Sequence, residues 1–226
     1  YIDRNDAGYV SVYLGDLGRN LPSEAEQHYW RGFNRITDSN ISLARFKRDF
    51  MCIDASSDSE DSVFKRNYVR VNSLVEEKLG WPLFLQLDDQ DRYNFDGLRI
   101  PIHNSIPEFD MLVLSLVKTL IDSLNEKNIV KVLTGSYTEL KGSIARIETW
   151  FKEKTVPNYE DHIKFLRNLQ ELRSCGTGHR KGKGYKKITS ALGISENNYV
   201  EAFKQLLEKA SAFLCFIENN IELLKK

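Results

Sequence analysis

Basic side chains and a histidine are concentrated in one glycine-rich stretch, ELRSCGTGHRKGKGYKK, from Glu171 to Lys187. The whole chain has 32 basic and 32 acidic residues and no net charge, so this stretch is a local excess of positive charge. Its cationic residues are Arg173, Arg180, Lys181, Lys183, Lys186 and Lys187. Glycines let backbone N–H groups approach phosphates, and Tyr185 can stack on a base. The pattern is compatible with an RNA-binding loop, but taken alone it fits a solvated connection without a ligand better.

Arg173 and His179, with five residues between them, have the side chains needed to cleave RNA. In that reaction the ribose 2′-hydroxyl attacks the adjacent phosphorus. A histidine can take or give the proton, and an arginine can hold the phosphate through two hydrogen bonds. We expect neither a metal nor another cofactor, because the sequence has no obvious carboxylate cluster. The alternatives are a loop histidine without a role and an arginine that stabilises a helix C-terminus.

The spacing of Arg173 and His179 restricts how they can meet. On one continuous α-helix six positions advance by about 600°, so the two side chains would point about 120° apart. They can share a phosphate only if the helix breaks, which Gly176 and Gly178 allow, or if a second copy of the chain supplies one of them. Cys175 lies between them and is predicted to be a small packing residue, with a reactive thiol as the alternative.

Apolar residues recur at helical spacing throughout residues 105–226. They predict four long amphipathic helices, over about Ile106–Leu124, Tyr137–Lys152, Tyr159–Arg173 and Ser195–Leu224. Short connections between such helices predict an antiparallel four-helix bundle, with the basic stretch joining the third helix to the fourth. The predicted fold class is therefore mainly α.

Residues 1–104 are predicted to form a smaller α+β module without an assigned role. Its expected elements are strands at Tyr9–Leu14 and Leu83–Leu87, a turn at Gly15–Gly18, helices from Ser23, over Ile41–Phe50 and over Glu60–Leu79, and a loop at Asp88–Asn94. Ser23 and Glu26 fit a capping box. The aromatic residues Tyr29, Trp30 and Phe33 are predicted to be core, with docking of a ligand or partner as the alternative.

Composition limits the class of protein. Hydrophobic residues make up 41% and charged residues 28%, values typical of a packed globular chain. Cys52, Cys175 and Cys215 are far apart, which predicts neither a disulfide framework nor a zinc site and favours the cytoplasm. No apolar run of about 18 residues occurs, so no membrane span is expected. The first residue, Tyr1, is not methionine, so a piece of a longer or processed protein is expected.

Two further polar features have less specific interpretations. Asp54–Asp61 is an acidic stretch that predicts a solvated loop before a helix, with a metal-binding loop as the alternative. The remaining histidines, His28, His103 and His162, are predicted to be structural or surface residues.

Over residues 105–226 the chain resembles the HEPN superfamily, whose ribonuclease members carry R-x4–6-H at the edge of a short helical bundle. Arg173 and His179 match that motif, and Ser174 stands where many members have Asn, Asp or His. The resemblance implies a metal-independent endoribonuclease that leaves a 2′,3′-cyclic phosphate and a 5′-hydroxyl. It also implies a homodimer in which two motifs face each other.

The resemblance places such a domain among toxin and phage-defence effectors, with an antitoxin or a sensor domain or protein as a possible partner. Two other functions remain open. One is a catalytically inactive HEPN-like bundle that binds RNA or a nucleotide. The other is a helical interaction module whose basic loop docks an acidic partner.

Overall fold

The computed structural model describes every residue except positions 1, 6, 13, 22, 37–39, 52–58, 136–140, 179–180, 196 and 226. It is mainly helical, as predicted. The chain divides into two compact units, Tyr1–Asp58 and Ser59–Lys226. This division comes earlier than the predicted boundary between residues 104 and 105, because the helix Glu60–Leu79 packs along a long C-terminal helix.

The described residues of the unit Tyr1–Asp58 form a short antiparallel strand pair and three helices. Its elements are β1 Ile2–Arg4, β2 Val10–Val12, α1 Leu14–Asn20, α2 Glu24–Arg31 and α3 Leu43–Met51. The predicted turn at Gly15–Gly18 is wrong, because these residues lie inside α1. There the Leu21 N–H donates to the Leu17 carbonyl at 3.1 Å, and such helical bonds outweigh the weak helix preference of glycine.

Helix α2 begins as predicted but does not bury its aromatic residues. The Glu26 N–H donates to the Ser23 hydroxyl at 3.3 Å, and that hydroxyl donates to the Glu26 carboxylate at 3.1 Å. Tyr29, Trp30 and Phe33 are 63%, 49% and 59% exposed, so their prediction as core is wrong. Their rings contact one another, with centroids 5.0 Å apart for Tyr29 and Phe33. Tyr29 and Trp30 belong to α2, which has no buried residue, and Phe33 follows its C-terminus.

The unit Ser59–Lys226 contains the long helices. Its α-helices are α4 Glu60–Leu79, α5 Tyr93–Asp96, α6 Ile106–Val117, α7 Glu126–Lys131, α8 Ser143–Glu153, α9 Glu160–Arg173, α10 Lys183–Ala191, α11 Tyr199–Asn219 and α12 Ile221–Leu224. Two π-helical segments directly follow α6 and α9, namely π1 Lys118–Asp122 and π2 Ser174–Gly178. Helix α11 packs along α4, and α6 packs against both α9 and α11.

Several predicted elements of this unit have different bounds. The predicted strand Leu83–Leu87 is reduced to one antiparallel bridge between Phe84 and Leu124, and the predicted loop Asp88–Asn94 runs into α5. Helix α7 was not predicted. Helix α8 begins at Ser143 rather than Tyr137, and positions 136–140 lie outside the described residues.

The basic connection is the most informative correction. It was predicted as a loop through Lys187, but it contains π2 and the start of α10. Ile188 is 3% exposed and Tyr185 packs against the same core, so an apolar pair at helical spacing fixes α10 on the bundle. The surrounding lysines and glycines conceal this pattern in the sequence.

The described residues bear on the predictions that no helix spans a membrane and that the cysteines form no disulfide. Within them, no helix has both the length and the apolar character needed to cross a bilayer. Cys175 and Cys215 are free thiols, and Cys52 lies outside the described residues, as does most of the acidic stretch at Asp54–Asp61.

Candidate functional site

Arg173 is the last residue of α9, at the point where the α-helix gives way to π2. The neighbouring Leu169 and Leu172 are buried, which fixes the end of α9 on the core. The Arg173 guanidinium lies 3.6 Å from the Asp122 carboxylate, with 37% of the arginine side chain and 43% of the aspartate side chain exposed. Because the helical chain continues into π2, Arg173 does not simply stabilise a helix C-terminus.

Two π-helical segments border this ion pair. Asp122 is the last residue of π1, and Arg173 immediately precedes π2. Such i→i+5 turns are rare in proteins and are found frequently at functional sites. The wider π turn also changes the rotation per residue after Ser174. The chain therefore does not continue as a regular α-helix after Arg173.

Asp122 belongs to a row of alternating charges. Partial burial raises the pKa of the Asp122 carboxyl, although nearby Arg173 and Lys118 act to lower it. The Lys118 ammonium lies 2.5 Å from the Asp91 carboxylate, and this hydrogen bond raises the pKa of Lys118. Positive and negative groups thus alternate from Asp91 to Arg173, so the site has little net charge before it binds a ligand.

A second cluster lies where π2 meets α6 and α10. The Lys181 ammonium forms a hydrogen-bonded ion pair with Asp110 of α6 and lies 4.7 Å from the centre of the Tyr185 ring. A Cβ atom on Gly176 would lie 3.2 Å from an Asp110 oxygen, so glycine is what allows π2 to approach α6 this closely. One predicted RNA ligand, Lys181, is thus already paired, and the Tyr185 ring has an ammonium above it.

The first turn of α10 carries the other predicted lysines. Lys183, Lys186 and Lys187 are exposed there, and the turn contains no acidic residue. Gly182 is the N-cap, and it provides no side-chain cap for the first backbone N–H groups. Helix N-termini favour anions, so this end of α10 combines side-chain and backbone attraction for a phosphate.

The structure brings together only part of the predicted site. His179 and Arg180 lie outside the described residues. Cys175 packs against α10, since its sulfur would lie 3.2 Å from a Cβ placed on Gly184. Among the described residues, no group of three or more His, Cys, Asp or Glu side chains could hold a metal ion.

Sequence reasoning missed the acidic partners. Asp110 and Asp122 form ion pairs with Lys181 and Arg173, and neither carboxylate was predicted to belong to the site. One sequence signal could have identified them. A strongly apolar helical run is interrupted by three charged residues at intervals of eight and four positions, namely Asp110, Lys118 and Asp122. Charges at helical spacing within an apolar run occupy a face that needs partners.

The chain was compared with family models, curated proteins and solved structures, and none of them matches it.

Proposed function

We propose that Ser59–Lys226 is a HEPN-like, metal-independent endoribonuclease. The observation that carries the proposal is the Arg173–Asp122 pair between two π-helical segments, beside a helix whose first turn is lined with lysines. In this proposal α6, α8, α9 and α11 are the four helices of the bundle, and α4 is an addition that packs along α11.

Arg173 is the proposed phosphate ligand. Arginine has five N–H donors in a planar fork, so one guanidinium can contact Asp122 and a phosphate oxygen at the same time. Asp122 then orients the guanidinium and limits its movement. An arginine held in this way stabilises negative charge that develops on the phosphate in the transition state.

His179 is the proposed acid–base group, and its assignment rests on the sequence motif. It would accept the proton of the 2′-hydroxyl or donate one to the leaving 5′-oxygen, the role for which a near-neutral histidine is suited. Gly176 and Gly178 precede it. The homodimer, the toxin or phage-defence setting and an antitoxin or sensor partner are part of this proposal through the family resemblance alone. The cytoplasmic location is part of it through the cysteine spacing.

Binding of the RNA chain is assigned to α10. Lys183, Lys186 and Lys187 are exposed side by side, which suits the repeated negative charge of a nucleic-acid backbone. Counterion release makes such binding fall steeply with salt. Replacing the three lysines together with glutamine is therefore expected to weaken RNA binding without melting the bundle.

The deciding experiment measures cleavage of a labelled RNA in excess chelator by the full chain and three variants. We expect His179→Ala to lower the rate about 10²–10⁴-fold, the contribution typical of general acid–base catalysis. Arg173→Ala should lower it about 10²–10³-fold, the loss typical of removing one donor to a developing negative charge. Arg167→Ala is the matched control, because Arg167 is an ion-paired arginine on the same helix whose partner is Glu148. It should cleave like the parent protein.

Two outcomes would redirect the assignment. Full activity in folded His179→Ala, or activity that needs magnesium, would contradict the mechanism. RNA binding without cleavage would instead support the inactive HEPN-like bundle. One observation favours that second function. The α10 lysines are exposed and free to bind RNA, whereas Arg173, the proposed phosphate ligand, already contacts Asp122.

A further inference from the structure

Lys181 differs from the other lysines of the basic stretch. Its side chain is only 28% exposed, and its ammonium is paired with Asp110, which is itself 16% exposed. Lys183, Lys186 and Lys187 are exposed. In its present position the charge of Lys181 is neutralised, so it contributes little attraction for a phosphate.

The Tyr185 hydroxyl is the second unusual group. Its oxygen is buried, and among the described residues it has no hydrogen-bond partner. A buried hydroxyl without a partner is unfavourable compared with one that donates a hydrogen bond. Burial raises the pKa of Tyr185 to about 12, and the nearby Asp110 and Tyr199 contribute to that shift. The hydrogen-bond donor to the Asp110 carboxylate is Lys181.

Packing holds these groups together. A Cβ on Gly176 would lie 3.2 Å from an Asp110 oxygen and 3.5 Å from the edge of the Tyr185 ring. The Lys181 ammonium is 4.7 Å from the centre of the same ring. The carboxylate, the ammonium and the phenol ring therefore lie in one cluster.

A cavity of about 290 Å³ adjoins this cluster. Its lining includes Lys181, Gly182, Tyr185, Lys186 and Tyr199. The cavity can accept a phosphate with part of its sugar or base, and both lysines reach it. An ammonium that turned away from Asp110 would remain within the same lining.

We propose that Lys181 is a transferable phosphate ligand: its ammonium pairs with Asp110 in the free protein and turns to a phosphate of single-stranded RNA in the adjoining cavity, while the Tyr185 hydroxyl takes its place on Asp110. The inference rests on the RNA binding proposed above. The exchange keeps Asp110 hydrogen-bonded in both states and gives the Tyr185 hydroxyl a partner in the bound state. Tyr185 thus acts through Lys181 as a positioning residue.

The test measures the affinity of the full chain for a single-stranded 2′-O-methyl RNA, which lacks the attacking hydroxyl and cannot be cleaved. Tyr185→Phe should bind about tenfold more weakly, because release of Lys181 would leave the partly buried Asp110 carboxylate without its donor. Lys181→Met should bind more weakly as well. Combining the two changes should add nothing further, since Tyr185 acts only through Lys181.

Salt dependence separates this role from base stacking. Each phosphate contact with a single strand contributes about 0.7 to the slope of log affinity against log salt. Both Tyr185→Phe and Lys181→Met should lower the slope by about that amount, whereas loss of a stacking contact would leave it unchanged. Tyr185→Phe should melt at the same temperature as the parent or higher, because it removes an unpaired buried hydroxyl.

Lys183→Met is the matched control, because Lys183 is an exposed lysine of the same stretch. It should weaken binding, and its effect should add to that of Tyr185→Phe. Asp110→Asn should bind RNA more tightly, since the carboxylate that competes for Lys181 is gone. If Asp110→Asn does not fold, the comparison of Tyr185→Phe with Lys181→Met tests the inference. Parent-like binding by Tyr185→Phe, or additivity with Lys181→Met, would overturn the inference alone. Absence of RNA binding by the parent protein would overturn the proposed function with it.

Discussion

The two compact units differ in how they are held together. In Ser59–Lys226 large side chains such as Trp150, Phe203 and Phe213 are fully buried. In Tyr1–Asp58 none of the hydrophobic side chains whose exposure the structure describes is buried, and Phe50 is 70% exposed. The smaller unit is held by contacts such as that of the buried Arg45 side chain, which donates to the Ser11 carbonyl at 2.6 Å. Apolar burial is the main source of stability, so the stability of the chain resides in its C-terminal unit.

The largest expected effect on stability comes from replacing a core phenylalanine with alanine, and the same substitution can be made in both units. Phe203→Ala should destabilise the protein by about 3–5 kcal/mol, because it opens a cavity in the core. Phe33→Ala, at a 59% exposed position, should change stability by less than about 1 kcal/mol. Chemical denaturation followed by circular dichroism measures both. Equal effects of the two substitutions would show that the smaller unit has a core of its own.

Hydrogen exchange tests the same difference without mutation. Amides of α11 should open only by global unfolding, since that helix lies in the core. Amides of α2 should exchange through local opening at a much lower free energy, because α2 has no buried residue. The measurement is exchange at native pH, resolved by mass spectrometry of peptides. Equal protection of α2 and α11 would contradict the comparison.

A third test measures how stability depends on pH through His162, at the edge of the core. Burial lowers the pKa of His162, although the nearby Asp161 acts to raise it, and the imidazole lies 4.4 Å from the Phe216 ring. The unfolded chain therefore binds this proton more readily than the folded chain. Stability should fall as pH decreases through about 6.5. Melting curves between pH 8 and 5 should show this slope for the parent and a flatter one for His162→Gln. Identical slopes would exclude His162 as the source.

The smallest expected effect on stability is at the proposed site. The raised pKa of Asp122 means that this carboxyl contributes stability when protonated at acid pH, and that the contribution is lost as pH rises through its folded pKa. At pH 7, Asp122→Asn should thus change stability by no more than about 0.5 kcal/mol. Its RNA cleavage should fall, because Arg173 loses its orienting partner. Melting and cleavage measured on one preparation separate the two effects. A clearly lower melting temperature would make Asp122 a structural residue.

Local pattern predicted the elements whose signals are local. Apolar periodicity predicted α4 and α9 within one residue of their bounds. The predicted helix Ile106–Leu124 is divided into α6 and π1, and the predicted helix Ser195–Leu224 into α11 and α12. The domain division was not visible in this way. It depends on α4 packing along α11, two helices far apart in the sequence.

The candidate site was predictable only in part, for a similar reason. The basic stretch is visible as composition, but Asp110 and Asp122 meet it through the fold. Helix α10 was missed because glycines and lysines surround its two packing residues, Tyr185 and Ile188. The π-helical segments have no distinctive residue types, since they differ from an α-helix only in hydrogen-bond spacing.

The position of Asp122 relative to α6 depends on the number of residues in π1. An i→i+5 turn accommodates one residue more than an α turn. That extra residue is already absorbed in π1, so inserting a further residue between Lys118 and Asp122 would rotate every following side chain by about 100° relative to α6. Asp122 would then leave Arg173, although no charged residue had changed. In related sequences, chain length at this turn should therefore vary less than the identity of the residues within it.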